Sequence, residues 1–271
     1  MTWTAYQVSF RLLSPMHIGW RKLGNLQQTR PYVTGRSLWG ALTARLTRES
    51  GGSNYTNTGK DVDNQLAFTY FYPSTQLDRV PLWPWSELWD EFAWTFLGSY
   101  ASAALENARN AEAGSLHETE YIAPYTREGQ QVYLVGYIFE KDTCNLDWQS
   151  TLDKLQFGGE RGYGWGRVHP KDRYKQINNS KCFDYDLLLD DDRPLLKAPG
   201  DMYLLAHTHA DTGGADYRGV TIEPFIGRET KESTGFGKNI SHAQVCWVPG
   251  GKVTQGETFQ IQAKGLWEKL L

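Results

Sequence analysis

The chain has 271 residues, a formal net charge of −3 and 14% aromatic residues. A slightly acidic balance excludes a protein that coats phosphate backbones through bulk charge, because non-specific affinity comes from excess Lys and Arg; any nucleic-acid contact has to be local or shared with an assembly. The three cysteines, Cys144, Cys182 and Cys246, are far apart and form no CxxC pair, and no basic start or long apolar run is present, so neither a disulfide framework, a zinc site, secretion nor a membrane span is expected, and the expected compartment is the cytoplasm.

Tyr6, Val8, Phe10 and Leu12 alternate with Gln7, Ser9 and Arg11, the period of two of a strand with one buried face. Ser14-Pro15 ends it. MHIGW (Met16 to Trp20) follows, then a polar stretch from Arg21 to Arg30, then PYVTGRSLWGALTARLTRES from Pro31. In that run Thr34 or Ser37 can cap a helix whose Leu38, Trp39, Ala41, Leu42 and Leu46 make one apolar stripe. Its start brings together free amides, the Arg36 guanidinium and the Ser37 hydroxyl, which suits a phosphate group; a plain cap and turn would use the same residues.

From Gly51 to Asn64 the composition is polar, as expected of a mobile surface insertion. Leu66 to Tyr72 reads as an aromatic strand. Pro81 to Phe96 is Trp-rich and reads as helical after Ser86, with Leu88, Phe92, Ala93 and Phe96 on one face, a core or partner-facing element. Ser102 to Ala113 reads as a weakly helical excursion. Val132 to Phe139 is a central strand by its β-branched and aromatic content, and Asn145 can cap a short helix carrying Trp148, Leu152 and Leu155.

The stretch Phe157 to Val168, FGGERGYGWGRV, cannot continue a helix or a strand, because Gly158, Gly159, Gly162, Gly164 and Gly166 would each forfeit backbone entropy with no side chain to pack. Arg161 and Arg167 supply phosphate donors among them, and Tyr163 and Trp165 supply faces on which bases stack, the needs of a single-stranded nucleic acid. A glycine-rich hairpin covering a core edge is the plainer reading.

Beyond it, Lys171, Arg173 and Lys175 suggest a solvated edge, and Met202 to His207 a strand. His207 and His209 with Asp211 form an HxH cluster whose rings would share one strand face, as a metal prefers; with no third distant ligand, a surface strand edge is the expectation and no metal or cofactor is assigned. A second glycine-containing basic segment, Gly227 to Asn239, holds Arg228, Lys231 and Lys238 and leads into a strand at Ser241 to Trp247. The element order predicts an α+β fold: a ferredoxin-like (RRM-like) βαββαβ domain over 1–170, with insertions at about 51–64 and 99–130. A second, smaller half over 171–271, degenerate ferredoxin-like or β-rich, carries its own glycine loop. No aromatic RNP motif is visible.

Three features together resemble the CRISPR-associated RAMP superfamily, the RRM-like subunits of RNA-guided effector complexes: a first strand ending in SPMHIG, the helix start PYVTGRSLWGAL, and the loop GGERGYGWGRV. The resemblance covers roughly residues 4 to 168 and, more weakly, Gly227 to Trp267. It implies a subunit of a type III-like CRISPR interference complex that grips the guide RNA, meets target RNA indirectly, and binds other RAMP subunits and a large effector subunit. The positions carried over are His17, Gly19, Arg36, Ser37, Gly158, Gly159, Arg161, Gly162, Gly164, Gly166 and Arg167. Backbone subunits that cut target RNA have an acidic residue between the HIG turn and the helix start. Here the interval WRKLGNLQQTR has no carboxylate to hold a metal or take a proton, and its Arg21, Lys22 and Arg30 suit RNA contact instead. The expectation is a non-catalytic subunit capping the repeat-derived 5′ end of the guide. A backbone-type subunit, a metal-independent guide-processing ribonuclease using histidine and a protein-only scaffold are the alternatives.

Overall fold

β1 (Trp3–Leu12) is followed by a hairpin of β2 (Gly19–Leu23) and β3 (Leu26–Thr29), then helices α1 (Gly35–Glu49) and α2 (Tyr55–Gln65) and short strands β4 (Leu66–Phe68) and β5 (Tyr72–Ser74). Helix α3 (Trp89–Phe96), β6 (Leu97–Ser102), β7 (His117–Ile122), β8 (Tyr133–Lys141), the one-turn helix α4 (Trp148–Thr151) and β9 (Val168–Gln176) complete the first part. This computed structural model describes residues 2–106, 110–177, 181–210, 217–231, 235–241 and 243–270, excepting the side chains of Ser86, Asp172, Arg173, Lys231 and Phe236.

The first sheet runs β4-β8-β1-β9, with β5 also on β8, and every pair is antiparallel. The alternation along β1 divides its side chains between two cores. Val8, Phe10 and Leu12 join Leu38 and Leu42 of α1 and Trp148 of α4. Trp3 and Ala5, with Tyr137 and Phe139 of β8, join a second cluster supplied largely by the rest of the chain, including Leu196, Phe259 and Trp267.

That remainder is nearly all strand: β10 (Lys181–Cys182), β11 (Tyr185–Leu188), β12 (Leu195–Ala198), β13 (Met202–Tyr203), β14 (Thr208–His209), β15 (Tyr217–Arg218), β16 (Ile222–Phe225), β17 (Arg228–Lys231), β18 (Gly235–Ile240), β19 (Gln244–Trp247), β20 (Lys252–Val253), β21 (Glu257–Ile261) and β22 (Trp267–Lys269). A large sheet runs β10-β11-β12-β21-β22-β14-β19-β16, while β13-β20-β15 and the β17–β18 hairpin stand apart from it. Because this half covers the face that β1 and β8 turn away from the helices, Trp3, Ala5, Tyr137 and Phe139 are buried and offer no stacking surface. The start of α1 also touches the second half. A Cβ on Gly35 would lie 2.7 Å from the Lys264 carbonyl oxygen and 2.8 Å from Gly265 Cα, so glycine is what lets the two backbones meet.

Some local expectations change. The polar stretch before Leu66 is helix α2, capped by the Asn54 side chain, which accepts from the Asn57 amide at 2.9 Å; buried Val62 and a 2.9 Å bond from Trp39 Nε1 to the Gly59 carbonyl dock it on α1. Ser102 to Ala113 is not helical among its described residues: Ser102 ends β6 and Leu105 bridges Ala111, with 107–109 outside the description. The basic run after the glycine loop is a solvated edge as expected: Lys171 and Lys175 are exposed on β9, the end strand of the first sheet, which pairs with β1 as far as Gln176. No helix among the described residues is long and apolar enough to cross a membrane.

Candidate nucleic-acid interface

The glycine loop is pinned along the HIG segment by main-chain bonds. Gly159 donates to the His17 carbonyl at 2.9 Å, Gly166 to the Pro15 carbonyl at 2.7 Å, and Phe157 to the Gly166 carbonyl at 2.9 Å. Gly158 and Gly166 both have left-handed backbone, at φ 76° and 77°. A Cβ on the first would collide with the His17 carbonyl oxygen and on the second with that of Phe157, which requires glycine at both. His17 is 7% exposed, and its Nδ1–H donates to the Glu120 carbonyl at 2.7 Å. Its contribution is to fix the loop's path through its backbone.

Beside this loop lies a cleft of about 710 Å³ lined by Gly19, Trp20, Arg21 and Arg30 of the β2–β3 hairpin, Thr34, Arg36 and Ser37 at the start of α1, Gly158 and Gly159, and the second half's Ile222 to Ile226. A second recess of about 370 Å³ continues along α1 past Trp39 to Gln156, Arg161, Arg228 and Glu229, and shares Arg36, Ser37 and Gly158 with the first. The two form one groove bent around the N-terminus of α1. Thr34 caps that helix, its hydroxyl accepting from the Ser37 amide at 3.3 Å.

Two carboxylates from the second half set the groove's electrostatics. Glu223 pairs with Arg30 at 2.6 Å, accepts from His207 Nε2 at 2.6 Å and from Trp20 Nε1 at 3.1 Å. Burial alone would raise its pKa, but the His207 bond and the Arg30 charge outweigh burial and hold it at about 2. His207 is pushed down by burial; neutral, it donates from Nε2 and accepts at Nδ1 from the Tyr70 hydroxyl at 2.7 Å. Glu229 takes Arg36 at 2.9 Å and Lys264 at 3.2 Å on the same oxygen, and Lys264 lies 4.6 Å from the Trp39 ring centre. Arg21 instead stacks on Trp20, its Cζ 3.9 Å from the ring centre.

No protein-family model matches the sequence, and no curated protein matches it. A solved chain from a type III-B Cmr-β complex bound to cognate target RNA and AMPPnP is similar in structure, with a TM-score of 0.50 over 92% of this chain and 85% of that one, at 13% identity. The two share a fold. A chain from a type III-B Cmr-β complex bound to cognate target RNA overlaps 62% of this chain and 96% of its own length, with a TM-score of 0.39 and 10% identity.

Of the residues singled out from sequence, Gly19, Arg21, Arg36, Ser37, Gly158, Gly159, Arg161 and Arg228 line the groove, and His17 and Gly166 shape it from behind. Arg36 is not a bare phosphate ligand; its guanidinium is tied to Glu229. Lys22 and Lys238 are exposed on β2 and β18, and the Lys231 side chain lies outside the described residues. Gly162, Tyr163, Gly164, Trp165 and Arg167 line neither recess. The HxH pair is no surface edge: His207 is fully buried in the Tyr70–Glu223 chain, while Asp211 lies outside the described residues. Among the described residues no group of three His, Cys, Asp or Glu side chains gathers to hold a metal. Sequence reasoning missed Trp20, Trp39, Glu223 and Glu229, and it read Arg30 as an RNA contact, whereas that guanidinium is paired with Glu223. Arg30 stood in view as the last cation of the hairpin, but nothing near it in sequence announces Glu223.

Proposed function

We propose that the chain is a non-catalytic guide-RNA-binding subunit of a multi-protein type III-like CRISPR interference complex, with the bent groove as the seat of the guide. The observation that carries this reading is convergence: the HIG hairpin with the capped start of α1, the glycine loop more than a hundred residues on, and the second basic segment later still line one groove. The fold held in common with a chain of a Cmr-β complex supports it, though fold alone does not fix function. The first sheet is ferredoxin-like on this reading, since β1, β4 with β5, β8 and β9 lie in the order βαββαβ topology requires. The domain division falls near the end of β9, and the β-rich remainder is a second unit packed on the first. The hairpin without a carboxylate and the second glycine segment favour a cap on the repeat-derived 5′ end of the guide over a subunit lining the guide–target duplex. Other RAMP-type subunits and a large effector subunit are the expected neighbours.

Fluorescence anisotropy with a labelled repeat RNA over a salt series tests this. Arg21→Ala and Arg228→Ala should each weaken binding across all sequences and lower the salt slope by about one phosphate contact. Absent RNA affinity in the wild type would overturn the reading, and cleavage of the repeat RNA without metal would overturn its non-catalytic part.

A further inference from the structure

The glycine loop has a second side that the groove does not use. Its early residues, Gly158, Gly159 and Arg161, line the groove, but Tyr163 and Trp165 do not. Trp165 instead lies edge-on against Tyr121, with ring centres 5.2 Å apart, and against Tyr100 at 6.5 Å. β6 and β7 form one end of a four-stranded sheet, β2-β3-β7-β6, and register fixes which of their faces this is. Gly98 opposes Tyr121, Tyr100 opposes Thr119 and Ser102 opposes His117, while Glu118 and Glu120 fall at the intervening positions. Since side chains alternate along a strand, the face that meets Trp165 carries rings and hydroxyls and no carboxylate.

Tyr163 is 83% exposed and Tyr100 is 61% exposed, and Arg161 and Arg167, two and four residues from Tyr163 in the same loop, are exposed as well. The loop's own carboxylate, Glu160, is half-buried. One residue is left unexplained by the fold. Gly162 has no left-handed backbone, and a Cβ there would meet nothing within 4 Å; neither conformation nor packing requires glycine at that position. A bare backbone between an arginine and an exposed ring is what a flat ligand needs for close approach.

We propose that Tyr100, Tyr163 and Trp165, with Arg167, form a base-stacking platform for single-stranded RNA outside the groove, and that Gly162 is kept small to admit a base. The proposal rests on the RNA-binding reading and extends it to a strand that leaves the groove over the outer side of the loop. Rings give stacking without sequence preference, and the flanking guanidiniums provide phosphate contacts.

The test is anisotropy with a fluorescein-labelled single-stranded repeat RNA, using the full chain. Stacking worth about 1–3 kcal/mol per base corresponds to roughly 5- to 150-fold in affinity. The double variant Y100A/Y163A should therefore bind at least about fivefold more weakly with its salt slope unchanged, because no phosphate contact is lost. Y163W should bind like the wild type, and G162V should weaken binding while unfolding at the wild-type denaturant midpoint. Wild-type affinity in Y100A/Y163A, with binding lost in R21A/R228A, overturns the platform and leaves the groove standing. A wild type that binds no RNA removes the groove and the platform together. Unchanged RNA affinity with loss of a co-purifying subunit would make this surface a protein contact and overturn the proposal.

Discussion

Three glycines of one loop should respond very differently to alanine. At Gly166 the left-handed backbone costs a residue with a Cβ about 1–2 kcal/mol. The new methyl also strikes the Phe157 carbonyl oxygen. Relieving that collision stretches the bonds from Phe157 to Gly166 and from Gly166 to Pro15, each worth about 1 kcal/mol net. Gly166→Ala is therefore expected to cost about 3–4 kcal/mol. Gly164 shares the left-handed backbone, at φ 84°, but a Cβ there meets nothing, so Gly164→Ala should cost about 1–2 kcal/mol. Gly162 has neither constraint, and alanine there should be neutral or stabilise by about 0.4–1 kcal/mol through the unfolded chain. Urea denaturation with matched m-values reads all three. Equal losses at Gly162 and Gly166, or a neutral Gly166→Ala, would refute the geometry on which the loop's path depends.

Acid titration reports on two half-buried carboxylates with opposite signs. Glu223, held at about 2 against an ordinary 4.5, contributes stability that is present above pH 4.5 and lost as pH falls toward 2; in Glu223→Gln the fall in melting temperature over that window should flatten, and an unchanged fall would contradict the pairing. Asp63 is raised by burial from 3.8 to about 6, so its ionisation destabilises the fold as pH rises through that interval; Asp63→Asn should stabilise by at most about 3 kcal/mol at pH 7, with the gain vanishing below about pH 4 in thermal melts. A double-mutant cycle on Arg36→Ala and Glu229→Ala should return a coupling of roughly 1 kcal/mol or more, since this partly buried pair joins the halves; a coupling of zero would deny the link. Tyr70→Phe leaves His207 Nδ1 without its donor and should cost about 1–3 kcal/mol in urea denaturation.

What the sequence made legible was local. The alternation of β1, the β-branched run of β8 and the capped start of α1 each rest on neighbours within a few residues, and all three stand. Composition misled where tertiary contacts decide. Helix α2 looks like a polar loop until Val62 and Gly59 dock it on α1, and the alanine-rich stretch from Ser102 gives that first residue to β6 because β7 is there to pair with it. The candidate site shows the same division. Its glycines and arginines are visible as motifs, and some of them, Arg36, Gly158 and Arg161 among them, line one groove while Tyr163, Trp165 and Arg167 do not. The carboxylates that neutralise Arg30 and Arg36 come from β16 and β17, and His207, read as half of a surface pair, is drawn into the core by Tyr70 and Glu223. No pattern along the chain connects residues that only the packing of one half on the other brings together.

The most direct measurement is photo-crosslinking of the protein to a repeat RNA carrying 4-thiouridine, followed by peptide mapping of the adducts. If the groove holds the guide, adducts fall in the peptides containing Trp20 and Arg21, Arg36 and Ser37, Gln156 to Arg161, and Arg228. Adducts confined to peptides outside the groove and the glycine loop, or none above a non-binding control, would contradict it.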